Sequence, residues 1–362
     1  MIRSTLEKLT AFHAIVAIFI IKLAAVVFAT KVFAKFTPLV DSELYLQGFY
    51  FGDGHIRTQL VQWIAYFAQL LTNPTFTYYV FALISTLGLV YYFLTGGRRF
   101  SLLLVLLLPT AAVCTSIIGK EAVYFGFFSF LLVIWSTYIF RPLRRNEIIS
   151  LVLAFSVCVL LRPHYSIALV WLFYVTFLSK IVITRQWLFI ALSLLIGFFV
   201  IDLFLMPRLI VRGYEGIELA RASRFDALGI EYRTDVGLKQ FKELLPLGAL
   251  MGIIGPFPYE AFKRPEFIPF LLEGVLIFCF PFGVAYAAYK RGLWRVARFR
   301  TNALFGILPA IAILMMVHAP FGVLNPGSAT RWRVNFELLF YLAPLLLLFR
   351  SLDAEKDHSL SS

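Results

Sequence analysis

The sequence predicts an all-α integral membrane protein with about ten transmembrane helices, one interfacial or re-entrant helix and one larger outer loop. Three observations carry this fold class. The 362 residues are 60% hydrophobic and 15% charged, with a mean hydropathy of +0.84. A soluble domain sits nearer half apolar and a quarter charged, so the solvent for this surface is lipid. Apolar runs close to the length that crosses about 30 Å of hydrocarbon recur along the chain. Lysine and arginine then divide unevenly between the two sets of connecting loops, as the positive-inside rule requires.

Taken in order, the expected spans are 11–34, 75–95, 100–118, 121–140, 148–161, 165–184, 187–206, 266–289, 302–318 and 333–349. The first is too long for a signal-peptide core and lacks a small-residue cleavage site, so it reads as a retained span. The run "TQLVQWIAYFAQLL", 58–71, is too short to span and amphipathic enough to lie along the outer interface or re-enter shallowly. Residues 1–349 read as a single polytopic domain that includes the outer loop 207–265. Residues 350–362 read as a disordered cytoplasmic tail.

Alternating the spans puts sixteen Lys or Arg on one side and seven in the short loops of the other. The long loop is left out of that comparison, because long loops translocate largely regardless of charge. Both termini are therefore expected in the cytoplasm. The net charge of +13 is explained by this orientation, and no nucleic acid is expected as a partner. "KRGLWRVARFR" reads as a basic inner loop on anionic lipid. Cys114, Cys158 and Cys279 have no metal-ligand spacing and read as buried small hydrophobes.

Within the stretch 101–140 the charged residues are Lys120 and Glu121, side by side in "TAAVCTSIIGKEAVYFGFFSF". They are expected at the outer apex between two spans. The next pair of spans is broken only by "LRPHY". Its first half, 148–161, is about 21 Å of helix, short for the hydrocarbon. Pro163 ends that helix, leaving Arg162 and His164 at the membrane boundary, where ionisable groups are functional-site candidates. The same outer face receives Asp41, Glu43, Asp53, His55 and Arg57 from the first loop, and Arg331 and Arg333 from "NPGSATRWRVNFE". Glu273 and Glu337 lie inside spans, where carboxylates pair with a cation or line a cavity.

Guanidinium and ammonium groups with a few carboxylates at one face suit a lipid-linked phosphate or diphosphate, because Arg presents a planar fork to phosphate oxygens and Lys a compact charge. On this reading Lys120, Glu121, Arg162, His164, Arg331 and Arg333 bind substrate, and Arg162, Arg331 and Arg333 are expected to approach one another. Asp41 or Glu43 is the candidate general base toward an acceptor hydroxyl.

These segments carry a resemblance. "VDSELYLQ" resembles the acidic first-loop motif of lipid-phosphate-sugar-dependent glycosyltransferases of the GT-C fold. "SIIGKEAVYF", "LRPHY", "PFPYE" and "GSATRWRVNFELLFYLAPLLL" resemble segments of bacterial polytopic membrane proteins of polysaccharide biosynthesis, a group that includes the Wzy-type polymerases. The resemblance implies outer-face glycosyl transfer from a polyprenyl-phosphate- or diphosphate-linked sugar, as a glycosyltransferase or repeat-unit polymerase in the bacterial inner membrane. It implies a polyprenyl-linked glycan lipid as substrate, other polysaccharide-assembly proteins as partners, and Asp41 and Glu43 as base or metal ligands, with a divalent metal left open. The alternatives are an O-antigen-ligase-like transferase, with His55, His164 or His318 as its base, and a lipid-linked oligosaccharide flippase.

Overall fold

The computed structural model describes residues 2–35, 40–47, 56–71, 73–181, 186–222, 238–322 and 326–361, and it is all-helical with no strand among them. Among the described residues six helices are long and apolar enough to cross a membrane: Leu9–Lys35, Lys120–Phe140, Trp187–Glu215, Pro265–Lys290, Ala297–Gly322 and Thr330–Glu355. A bent pair makes a seventh if counted as one span. The helices fit a multi-pass all-α membrane protein, with six or seven spans by length and apolarity among the described residues where about ten are expected. The chain divides into two compact units, residues 1–166 with 341–362, and residues 167–340, where the sequence reading treats 1–349 as one domain.

In the first unit, α1 (Ile2–Val27) continues through a π-helical turn, Phe28–Val32, to a 3-10 turn ending at Lys35. Short α2 (Val40–Leu46) and the 16-residue α3 (Ile56–Leu71) follow, the latter on the run expected at the interface. α4 (Pro74–Ile84) and α5 (Leu87–Leu94) meet at a 53° bend. Its cause is local: the Ser85 and Thr86 hydroxyls donate to the Ala82 and Leu83 carbonyls at 2.6 and 2.7 Å, competing with the helix ladder.

The expected span 100–118 is not one helix. Phe100–Leu107 winds as 3-10, Leu108 is extended (φ −61°, ψ 133°), and α6 (Pro109–Cys114) lasts six residues. Pro109 explains the break: it lacks an N–H and pushes the residue before it out of the helical region. Residues 115–119 are non-helical, and α7 (Lys120–Phe140) then runs for 21 residues. α7 packs closely on the bent pair. A Cβ added at Gly126 would lie 2.0 Å from the Ile84 carbonyl oxygen, so only glycine permits this approach. α8 (Arg145–Leu161) returns antiparallel to α7, and Arg162 separates it from α9 (Pro163–Lys180).

The second unit begins within α9. α10 (Gln186–Val200) passes through a π-helical turn, Ile201–Leu205, into α11 (Met206–Ala222). The stretch 207–265, expected as an outer loop, is largely helical where described. It holds all of α11 but its first residue, then α12 (Leu238–Glu243), α13 (Leu245–Ile254) and α14 (Pro258–Lys263). The chain continues through α15 (Ile268–Lys290), α16 (Ala297–Thr301), α17 (Leu308–Gly322) and α18 (Pro326–Arg333). α13 is apolar and packs closely along α17: a Cβ at Gly322 would stand 1.9 Å from the Gly248 carbonyl oxygen, and one at Gly252 would stand 2.4 Å from the His318 ring. Ten apolar residues make about 15 Å of helix, half a span, which explains why a length rule passes over it.

α19 (Leu338–Ser361) extends twelve residues past the expected span end at 349, into the stretch expected as a disordered tail. "SLDAEKDHS" has no glycine or proline to stop the helix, and Leu352, Ala354, Glu355 and Lys356 are good helix formers. Within the first unit its early part is anchored, with Asp353 3.1 Å from Arg99 Nη2 and the Arg350 guanidinium 5.4 Å from the Tyr92 ring centre. Cys114 and Cys158 are buried as expected, but Cys279 is exposed on the apolar helix α15. An apolar solvent removes the reason to bury a small hydrophobe.

Candidate functional site

The first unit gathers several of the candidate residues at one junction, where residues 115–119 lead into α7 and α8 gives way to α9. Pro163 builds half of it. Arg162 ends α8 with its backbone out of the helical region (φ −145°, ψ 70°), as a residue before proline tends to be. Its N–H donates to the Cys158 carbonyl at 2.9 Å, and its own carbonyl accepts from the N–H groups of Tyr165 and Ser166 at 3.2 Å. The backbone groups that the break would leave bare are thereby satisfied.

The Arg162 side chain turns to α7 and donates through Nη2 to Glu121 Oε1 at 2.7 Å. Their side chains are 11% and 8% exposed, so this is a nearly desolvated ion pair. Such a pair holds its partners in one geometry, because either charge alone is costly there. Lys120 Nζ donates to Thr58 Oγ1 on α3 at 2.9 Å. His164 is buried beside Tyr165, ring centres 4.1 Å apart. Lys120, Arg162 and Glu121 leave one net positive charge at the junction.

Short α2, which carries Asp41 and Glu43, docks on this junction. Ser42 Oγ donates to the Ile118 carbonyl at 3.0 Å, two residues before Lys120. α3 holds the other end of α2, with Gln69 Nε2 3.4 Å from the Leu46 carbonyl. Glu43, the residue after Ser42, is exposed, and Tyr78 of α4 lies beside Ser42 and Glu43. Asp41 lies on the same short helix; its side chain is outside the described residues, as are Asp53 and His55. Two features the sequence singles out, the acidic residues of "VDSELYLQ" and the Lys-Glu pair, are thus joined through Ser42.

Arg331 and Arg333 belong to the second unit. Arg331 is half-buried. Arg333 is 0% exposed. Its Nη1 donates to the carbonyls of Ile253 and Gly255 at 2.8 and 3.1 Å, and Nη2 to the Phe270 carbonyl and Glu273 Oε2 at 3.0 and 2.8 Å. Glu337 Oε2 stands 3.9 Å from its Nε. The guanidinium thus caps the C-terminal carbonyls of half-helix α13 and ties them to α15, a favourable place for a cation. The pairing expected of Glu273 and Glu337 is present, and its cation is Arg333. His318 is fully buried in the same unit, its ring centre 4.6 Å from that of Phe336.

A residue the sequence reading passes over is Lys22. It sits in α1 inside the Leu9–Lys35 span and is 1% exposed. Its Nζ donates to the Thr115 hydroxyl, which in turn donates to the Ala111 carbonyl. A lone lysine inside an apolar run is itself the signal. It is masked in the sequence by the length of that run, which satisfies a span criterion despite the charge.

Among the described residues no three His, Cys, Asp or Glu side chains gather as a metal site. No protein-family model, curated protein or solved structure matches the chain.

Proposed function

We propose that this protein transfers a glycosyl group from a polyprenyl-phosphate- or diphosphate-linked sugar at the outer face of a bacterial inner membrane. About ten spans with both termini inside is the topology that goes with this reading. The observation that carries it is the docking of α2, through Ser42 and the Ile118 carbonyl, onto the Lys120, Glu121 and Arg162 junction. A carboxylate-bearing helix and a positively charged junction are the two parts such a transfer needs.

In the proposed step Glu43 or Asp41 accepts the proton of the acceptor hydroxyl. The hydroxyl oxygen forms a bond to the anomeric carbon, and the bond from that carbon to the carrier phosphate oxygen breaks. The electron pair leaves with the phosphate, and the growing negative charge is met by Lys120 and Arg162. Glu121 fixes the Arg162 fork, so the cation is oriented before substrate arrives.

A second reading is supported by specific features. Half-helix α13, the break at residues 115–119 and the deep Lys22 are the discontinuities and buried charge found in transporters, which favours a lipid-linked oligosaccharide flippase. Deleting the gene and identifying what accumulates separates the two. A transferase leaves carrier-linked donor glycan at the outer leaflet; a flippase leaves it at the inner leaflet. Cysteines placed at Arg144 and Asp226 test the orientation, with labelling expected from inside and outside respectively. The reverse pattern would move the junction to the cytoplasmic face and overturn the reading.

A further inference from the structure

Lys22 has no place in the step described above, yet it is the most deeply enclosed lysine of the first unit's described residues. An ammonium has three N–H groups. Among the described residues the structure gives Lys22 one acceptor, the Thr115 hydroxyl, and no carboxylate within ion-pair distance. Thr115 spends its own hydrogen on the Ala111 carbonyl, so toward Lys22 it acts purely as acceptor. The next residue, Ser116, is 0% exposed, and its Oγ has no hydrogen-bond partner. A buried cation short of acceptors and a buried hydroxyl short of any partner therefore sit at the same chain break. Each is costly alone at membrane depth. An oxyanion would satisfy both, supplying countercharge to Lys22 and accepting from Ser116.

The seat is also placed toward the Arg162 level. α1 and α8 are expected to cross in the same direction, from the inner to the outer side. Lys22 follows the inner-side residue Lys8 by about 14 residues, roughly 21 Å of helix, and Arg162 follows Arg145 by about 17 residues, roughly 26 Å. Counted from these two inner-side residues, the rises differ by about 5 Å. Thr115 and Ser116 lead directly through residues 117–119 to Lys120, at the N-terminus of the 21-residue α7, whose N-cap Gly119 offers no side-chain cap. That terminus adds positive potential on the same side.

We propose that Lys22, with the Thr115 and Ser116 hydroxyls, is an oxyanion-binding seat for the phosphate of the substrate. Its identification with a carrier phosphate rests on the transfer reading above. Lys22 and Ser116 donate to the phosphate oxygens, and Thr115 holds the lysine in place. Lys22 thereby adds a deep anchor to the cations at the junction.

The test uses the full chain in lipid nanodiscs and three probes: undecaprenyl diphosphate, inorganic pyrophosphate and the uncharged undecaprenol. Lys22→Met keeps the side chain's length and removes its charge. Ser116→Ala removes a hydroxyl without a partner, so it should leave folding intact and serves if the first variant does not fold. Wild type should bind undecaprenyl diphosphate, with Lys22→Met weaker by about ten- to a hundredfold and Ser116→Ala by about three- to tenfold, the scale of charged and neutral hydrogen bonds. Undecaprenol binding should be the same in all three. Pyrophosphate binding with the same dependence, without lipid binding, would support the seat and assign it to a free anion. If both variants bind undecaprenyl diphosphate as wild type does while Arg162→Gln loses it, this seat is wrong and the transfer reading survives. If wild type binds neither anion, both fail together.

Discussion

Changing Glu121 to Gln removes the carboxylate that holds Arg162 and keeps the shape of the side chain. The two groups meet at 2.7 Å and are 8% and 11% exposed, so little water reaches the bond. Stripping one partner from a buried pair costs about 3–5 kcal/mol, because the remaining charge keeps its desolvation penalty. Both side chains keep some exposure, so the lower end of that range applies. With about 2–4 °C per kcal/mol, unfolding should move down by roughly 6–12 °C. Arg162→Gln should do the same. The double variant, Glu121→Gln with Arg162→Gln, places two neutral amides together and should recover most of the loss. Turnover should not recover with it, since the proposed step needs the guanidinium. Intrinsic fluorescence unfolding in detergent, run beside a turnover assay on the same preparations, separates the two effects. Single variants as stable as wild type would refute the buried pair. A double variant that is both stable and active would refute the role of Arg162.

Three further outcomes follow from the geometry. Arg333→Lys should destabilise the second unit by several kcal/mol, because an ammonium cannot reproduce the fork that serves three carbonyls and Glu273; unfolding at the wild-type temperature would contradict this. Gly126→Ala should destabilise the first unit by about 1–3 kcal/mol, since its Cβ would stand 2.0 Å from the Ile84 carbonyl oxygen, and a neutral result in the same unfolding assay would show that the helices can part. At the start of α8, the Arg141 guanidinium and then the Arg144 backbone N–H hold the Glu147 carboxyl at about 2, below the usual 4.5. The stability from this depressed value is fully present above pH 4.5 and is lost as pH falls through about 2. Glu147→Gln should therefore flatten the dependence of unfolding on pH between these values, and an unchanged slope would reject the assignment.

The helical membrane class was legible because composition and run length report it directly. Helices that end at proline or at a chain break were less so. Pro163 was read correctly, since a proline beside Arg162 inside an apolar stretch has one local meaning. Pro109 was not: the run 100–118 has the hydropathy of a span, and hydropathy is blind to winding. α13 was hidden for the opposite reason. It is too short to score as a span, and its burial comes from glycine contacts with α17, which depend on tertiary structure. The basic residues show the same division. Their clustering along the sequence was visible, but the burial of Arg333 under three backbone carbonyls and the enclosure of Lys22 against Thr115 are properties of packing. Sequence reading found the polar residues and could not separate those that hold helices together from those that stand at a junction.

The most direct test of the proposed transfer is release of carrier diphosphate by the purified protein in lipid, given undecaprenyl-diphosphate-linked glycan and a hydroxyl acceptor. Wild type should release undecaprenyl diphosphate. Losing the general base should lower that rate by about 10²–10⁴ without weakening carrier binding, so Asp41→Asn or Glu43→Gln should show this drop. Intact glycan lipid moving between leaflets, with no carrier diphosphate released, would contradict the transfer and leave a flippase in its place.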